Sequence, residues 1–410
     1  MPTLSRHIQR IQGSPTLALN ELARQLQAEG KDIIHFGIGE PQNEMPASAR
    51  EYLLKKLQSG RVKYGPTGGL PALKTAVIDY TKSYYGRTPT PENIIITVGA
   101  KQALYNLLQC LLNQDDEVII LSPYWVSYPE MIKLAYGKPV VVQPDPSLIP
   151  DVNAVIGAVT SRTRAIILNN PNNPAGLCYP VELIAKLVDF CETNEIYLIM
   201  DDIYHLLMAQ DHQWVPGYVF TSQKINSSYL VVINGISKSY GMTGFRIGWI
   251  IAARELIRSL QVIQGHSTSG ASVLLQEAAL GALKDGQDTI ASLSRQISRN
   301  RTLILDALAE IPGVITVEPG GTFYCFPDFS AYHQDSRELA SRILEKAFVA
   351  TVPGITFGRE GHLRLSYAGP TSQIEEGIQR IRWVIDPHAP EEITMQGSRH
   401  HCDWKRTYRK

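Results

Sequence analysis

Lys238 and Arg246 stand eight residues apart in the stretch INGISKSYGMTGFRIG, residues 233–248. An apolar run ends at Asn234-Gly235, two serines flank the lysine, and Gly241 and Gly244 lie between the two charges. A primary amine can act as nucleophile and base, and a hydroxyl with a guanidinium suits a phosphate. The small residues leave room for a ligand. Three more polar clusters stand where apolar runs stop. TVGAKQ (97–102) leaves one run through Gly99 and enters a helical pattern, offering free backbone N–H groups to an anion. NNPNNPAG (169–176) is a rigid turn with projecting amides. MDDIYH (200–205) sets Asp201 after a wholly apolar run, where a carboxylate needs a cation or hydrogen bonds.

Taken singly, these features have ordinary readings: a tight turn, a helix cap for Asp201, a surface position for Lys238. Together they supply a lysine amine, a poorly solvated carboxylate and a phosphate cup. Those are the needs of pyridoxal 5'-phosphate, whose aldehyde takes a lysine, whose ring nitrogen takes an acid, and whose phosphate takes a helix start and a cation.

The frame around these residues is that of a large enzyme. The chain has 410 residues, enough for one large domain or two ordinary ones. Lys and Arg number 39 and so do Asp and Glu, which argues against a nucleic-acid binder. Five scattered cysteines without C-x-x-C spacing read as reduced thiols, with no zinc site. The N-terminus has no apolar signal core and no run reaches membrane-spanning length, so the expectation is a cytoplasmic protein with no membrane contact.

The elements that must position the cluster follow from hydrophobic patterning. Nearly continuous β-branched runs at 93–98, 117–122, 139–144, 164–170, 196–202, 229–234 and 247–252 read as strands buried on both faces of a mostly parallel sheet. Amphipathic segments at 100–112, 126–136, 151–159 and 180–193 alternate with them, an α/β pattern. Ligands of such sheets bind beyond the strand ends, where the polar clusters fall. From about 254 to 310 the pattern is helical with a break near Gly286. GVITVE (313–318), GTFYCF (321–326), a helix near 336–348, GHLRLSY (361–367) and a helix near 372–385 follow, as in a smaller α+β domain. A helix starting at Ser14-Pro15 belongs to an N-terminal segment that returns to it. The expected division is 1–45 with the small domain, 46–290 as the large cofactor-binding domain, 291–386 as the small domain, and 387–410 as a loose, flexible tail.

The motifs GEP (39–41), KYGPTGGLPALK (63–74), TVGAKQALYNL (97–107), LSPYWVSYPEM (121–131), NNPNNPAG, DDIY (201–204), SKSYGMTGFRIGW (237–249), GGTFY (320–324) and GHLRLSYA (361–368) occur in one order and spacing. In that combination, over roughly residues 4–385, the chain resembles the class I aminotransferases of the fold-type-I pyridoxal phosphate superfamily. Within them it is similar to the branch of bacterial aspartate and prephenate aminotransferases. The resemblance implies a large domain with a mostly parallel mixed sheet flanked by helices, plus a smaller α+β domain.

Carried over by position, the resemblance makes Lys238 the Schiff-base lysine and general base, and Asp201 the partner of the ring nitrogen. Tyr204 and Asn173 meet the ring 3′-oxygen, and Trp125 stacks on the ring. Gly99, Ala100 and Lys101 offer backbone amides to the phosphate, completed by Ser237 and Arg246. Tyr64 reaches the phosphate of a neighbouring subunit, which implies a homodimer with shared active sites. Arg364 clamps the substrate α-carboxylate, with a structural ion pair as its ordinary alternative, and Gly39 lies beside that carboxylate. Trp125 and Asn173 also border the substrate. Lys101 binds a distal carboxylate, with Thr16 beside it in members that accept prephenate. The activity implied is transamination between an amino acid, aspartate or glutamate first, and a 2-oxo acid such as 2-oxoglutarate, oxaloacetate or prephenate.

Two departures bear on substrate range. HSTSGAS (266–272) stands where relatives carry a Ser/Thr-rich loop with Ser-Pro or Asn-Pro, and the chain runs some two dozen residues past the usual end. An aromatic or biosynthetic-pathway donor, or carbon–sulfur β-lyase chemistry, remains the alternative enzyme reading. A regulatory module on an aminotransferase body is the non-enzyme reading; it would add an N-terminal DNA-binding segment or lose Lys238, Asp201 or Arg364. None of the three is lost.

Overall fold

The structure is a computed structural model that describes residues 5–13, 15–395 and 397–402, excepting the side chains of 15–17 and 20. Its centre is a sheet of seven strands: β1 (Ile94–Thr97), β2 (Glu117–Leu121), β3 (Lys138–Val142), β4 (Thr163–Asn169), β5 (Tyr197–Asp201), β6 (Leu230–Gly235) and β7 (Gly248–Ile251). Their order is β1-β7-β6-β5-β4-β2-β3, and β7 alone runs antiparallel to its neighbours.

The apolar runs are continuous because both faces are covered. Along β1, Ile94 and Ile96 pack into one layer and Ile95 into the other. The same alternation separates Ile166 and Leu168 from Ala165 and Ile167, and Leu198 and Met200 from Ile199. One layer is roofed by the helices Pro71–Tyr85, Val181–Thr193 and Val273–Asp285. The other is roofed by Gly99–Leu111, Ser127–Leu134 and Arg254–Ser267.

A second apolar core is α+β. The helices Gln287–Ala309, Ser336–Ala347 and Ser372–Ile385 pack around a short antiparallel sheet of Val352–Pro353, Leu363–Ser366 and Tyr324–Cys325. The N-terminal segment joins this side: Ile34–His35 pairs in parallel with Val349–Ala350, and Ala23 packs with Ile33, Leu344 and Ala350.

Three expectations change. The helical region 254–310 breaks twice, since Ser269 and Gly270 at positive φ interrupt it before Val273 as Gly286 does later. GVITVE forms no strand: only Ile315 bridges, to Asp328. The tail expected to be loose instead forms a hairpin of Glu392–Met395 and Ser398–His401. Met395 and Cys402 are buried in the second core, and His400 lies edge-on to Phe348. Little apolar periodicity is visible there because only a few residues of the hairpin make the contact. Residues 403–410 lie outside the described residues.

Candidate active site

Six parallel strands end at one edge of the sheet, and the antiparallel β7 begins there. Asn169 and Asp201 are the last residues of β4 and β5 and are paired neighbours. Lys238 follows β6 and Arg246 precedes β7, while Gly99 opens a helix just after β1. The topology therefore gathers residues spread over the chain around one cavity of about 500 Å³.

Asp201 is 4% exposed. Tyr128 donates to its Oδ2 at 2.6 Å, and Oδ1 has no hydrogen-bond partner among the described residues. Burial raises its pKa to about 6, against the lowering pull of the Tyr128 hydroxyl, of the Ile203 backbone N–H and of the Lys238 ammonium. A buried carboxylate with one vacant oxygen facing a cavity calls for an N–H donor. Tyr128 was not singled out in the sequence; its hydroxyl finds Asp201 across 73 positions, although it lies in the motif LSPYWVSYPEM.

Lys238 is partly buried and donates from Nζ to the carbonyl of Gly39 at 2.5 Å. Burial lowers its pKa to about 8, opposed by Glu40 and helped by the cations Arg364, Arg246 and Lys101. Tyr204 presents its ring 6.0 Å from the same amine. The Tyr204 hydroxyl accepts from Asn173 Nδ2 at 3.3 Å and lies 3.4 Å from the Tyr324 hydroxyl. Asn173 is itself held by its backbone N–H on Asn169 Oδ1 at 2.8 Å.

The wall of the cavity at Gly99 and Arg246 is built from close backbone approach. Gly99 has φ +75°, and a Cβ there would sit 2.6 Å from Arg246 Nη2. A Cβ on Gly248 would sit 2.6 Å from the backbone nitrogen of Ala100. Arg246, at φ +53°, is braced by its Nη1 on the Thr243 carbonyl at 3.1 Å. Ala100, Ser237 and Arg246 all line the cavity. A cup that glycine alone permits, beside a guanidinium and a helix start, fits a phosphate; the vacant Asp201 oxygen fits a protonated ring nitrogen. The residues present thus fit pyridoxal phosphate.

Arg364 is 2% exposed, on the strand Leu363–Ser366. Nη1 donates to Asn173 Oδ1 at 3.1 Å and Nη2 to the Gly37 carbonyl at 2.9 Å, while Nε has no partner among the described residues. Its guanidinium lies 4.4 Å from the Tyr324 ring centroid and 5.2 Å from that of Phe357. No carboxylate pairs with it among the described residues, so the structural ion pair is not what holds it. Gly39 lies nearby, where a Cβ would press on the Tyr324 hydroxyl at 3.2 Å.

Lys101 and Trp125 line the same cavity, Nζ lying 5.0 Å from the indole centroid. Trp125 is set edge-on to Tyr128 at 5.4 Å. Burial lowers the Lys101 pKa, and Arg246 adds to the effect. Tyr64 does not join the group: it is 98% exposed, outside the cavity. The Thr16 side chain lies outside the described residues. Arg24, Gln27 and His35 line the cavity although no sequence motif marks them.

Comparison with known proteins agrees with this geometry. Residues 31–381 match the family described as aminotransferase class I and II. The chain is 36% identical over 390 residues to the aspartate/prephenate aminotransferase of Thermus thermophilus, covering 94% of this chain and 99% of that one. It is 36% identical over 395 residues to the aspartate aminotransferase of Geobacillus stearothermophilus, covering 94% and 100%. Among solved structures, the Thermus thermophilus aspartate aminotransferase with maleate superposes with a TM-score of 0.88 at 36% identity, covering 94% of this chain and 100% of that one. The aspartate aminotransferase from Rhizobium meliloti gives 0.89 at 30% identity, covering 94% and 99%. The chain belongs to the class I and II aminotransferases, pyridoxal-phosphate-dependent enzymes that exchange an amino group between an amino acid and a 2-oxo acid.

Proposed function

We propose that this aminotransferase acts on dicarboxylic substrates, with aspartate or glutamate as donor and 2-oxoglutarate, oxaloacetate or prephenate as acceptor. The observation that carries the reading is Lys101. Its amine lies in the cavity against Trp125, in an ion pair with no carboxylate among the described residues. A second cation apart from Arg364 suits a second carboxylate. The names of the relatives, aspartate and aspartate/prephenate aminotransferase, favour the same class.

The chain's own groups divide the work. Arg364 offers Nη1, Nη2 and the vacant Nε in a planar fork for the α-carboxylate. Asn173, which touches both Arg364 and Tyr204, ties substrate binding to the Tyr204 hydroxyl. When bound, pyridoxal phosphate supplies the carbonyl that takes up the amino group and the ring that receives the electron pair. Asp201 keeps the ring nitrogen protonated. Lys238, with its pKa drawn down to about 8, takes the α-proton as general base.

Tyr64 supports a homodimer with shared sites. Leu54, Leu57, Val62 and Val262 are exposed with it, and Thr67 lies against Gly270 of the 266–272 loop. Exposed apolar side chains of this kind favour a second copy. A cytoplasmic role in amino acid biosynthesis is the accompanying reading; among the described residues no helix is long and apolar enough to cross a membrane.

The test is a single-turnover panel of amino donors, followed by cofactor absorbance. Aspartate and glutamate lead. Fast reaction of aromatic or sulfur amino acids with both of these slow overturns the dicarboxylate assignment.

A further inference from the structure

The helix Pro15–Ala28 is seated by one stripe and leaves another over the cavity. Leu19, Ala23 and Leu26 recur at helical spacing and pack with Ile33, Leu344 and Ala350. Arg24 and Gln27, three apart, share the adjoining flank, and both line the cavity. His35 lines it too, fixed by the pairing of Ile34–His35 with Val349–Ala350. The Gly37 backbone N–H donates to His35 Nδ1 at 3.2 Å, so Nε2 carries the proton and is a donor. Burial, with the charges of Arg364 and Arg24, lowers the His35 pKa to about 4 and keeps the ring neutral.

The charges around the cavity do not balance. Arg24, Lys101, Lys238, Arg246 and Arg364 face two carboxylates, Asp201 and Glu40. Glu40 already accepts from the Thr243 hydroxyl at 2.6 Å. In the reading above, Arg246 serves a phosphate, Arg364 an α-carboxylate, Lys101 a distal carboxylate and Lys238 the chemistry. Arg24 remains, in an ion pair with no carboxylate among the described residues.

We propose that Arg24, with the Nε2–H of His35, is a second recognition point for the distal carboxylate of the substrate. It selects dicarboxylates from the N-terminal helix while Lys101 does so from the sheet edge. The assignment rests on the dicarboxylate reading of the site and adds a residue on a different element. Because Arg24 is exposed on the helix surface, its replacement leaves the packed stripe intact.

The test is calorimetric titration of the holoenzyme with succinate and with butyrate, which lacks the second carboxylate. The wild type binds succinate more tightly. Arg24→Gln weakens succinate about fivefold and leaves butyrate unchanged, and Arg24→Lys recovers part of the loss. If Arg24→Gln binds succinate as the wild type does while Lys101→Gln does not, Arg24 has no such role and the dicarboxylate reading stands. If Arg24→Gln weakens both ligands equally, its effect is not recognition of the distal group and the proposal falls. A wild type that does not distinguish succinate from butyrate overturns both.

Discussion

Tyr128 donates a 2.6 Å hydrogen bond to Oδ2 of Asp201, and Oδ1 of the same carboxylate has no partner among the described residues. The phenol thus fixes the rotation of the carboxyl group and leaves one oxygen for a ligand. Tyr128→Phe keeps the ring against Trp125 and removes only that restraint. Cofactor affinity should fall by about 1.5 kcal/mol, roughly tenfold, and the Asp201 pKa should climb above 6. Equilibrium dialysis of the variant against pyridoxal phosphate measures this, and an unchanged constant removes Tyr128 from the role.

Lys238 sets a pH dependence. Its pKa is lowered to about 8 from 10.5, so the amine is mostly charged below that value and mostly neutral above it. Only the neutral amine has a free electron pair. Capture of pyridoxal phosphate by the apoprotein should accelerate as pH rises through about 8 and then level off; a midpoint near 10.5 contradicts the burial effect. Lys238→Ala should lower turnover by at least about 10³-fold.

Replacing Arg364 separates substrate from cofactor. Arg364→Lys keeps a charge but loses the planar fork held by Asn173 and Gly37. We expect kcat/KM to fall about 10²-fold or more, equal to roughly 3 kcal/mol, with cofactor affinity unchanged. Steady-state kinetics beside a cofactor titration checks both halves.

The C-terminal hairpin belongs to stability. Met395 is 2% exposed in the second core, away from the cavity-lining residues. Met395→Ala should cost about 2 kcal/mol or more in urea unfolding and leave kcat unchanged. A loss of activity at full stability contradicts this placement.

The seven central strands were legible as short apolar runs: most are buried nearly throughout, while β3 at the sheet edge is half-open and shows through Val140, Val141 and Val142. The helices Ala47–Gln58 and Pro71–Tyr85 were not read; in the first only Ala49 is buried, so little apolar period shows in its sequence. Around the cavity, Lys238 and Asp201 stood out as polar groups at strand ends, while Asn173 and Arg364 were picked out through the family resemblance. Tyr128, Arg24 and His35 depend on tertiary approach between distant segments, and local spacing carries no trace of that. The hairpin at 392–401 was misjudged for a related reason. Its contact with the second core is made chiefly by Met395 and Cys402, too few for a period to emerge.

The reversal of β7 has a mechanical consequence. Gly235 and Gly248 pair at the neck of the segment 236–247, and a Cβ on Gly235 would lie 2.7 Å from the Ile247 carbonyl. Lys238 and Arg246 ride on this single closed lasso. A ligand that engages both therefore fastens the two limbs of one noose instead of bridging independent parts. Loading the cofactor should slow amide exchange across 236–247 more than in the neighbouring strands, as a clasp stiffens the cord it closes.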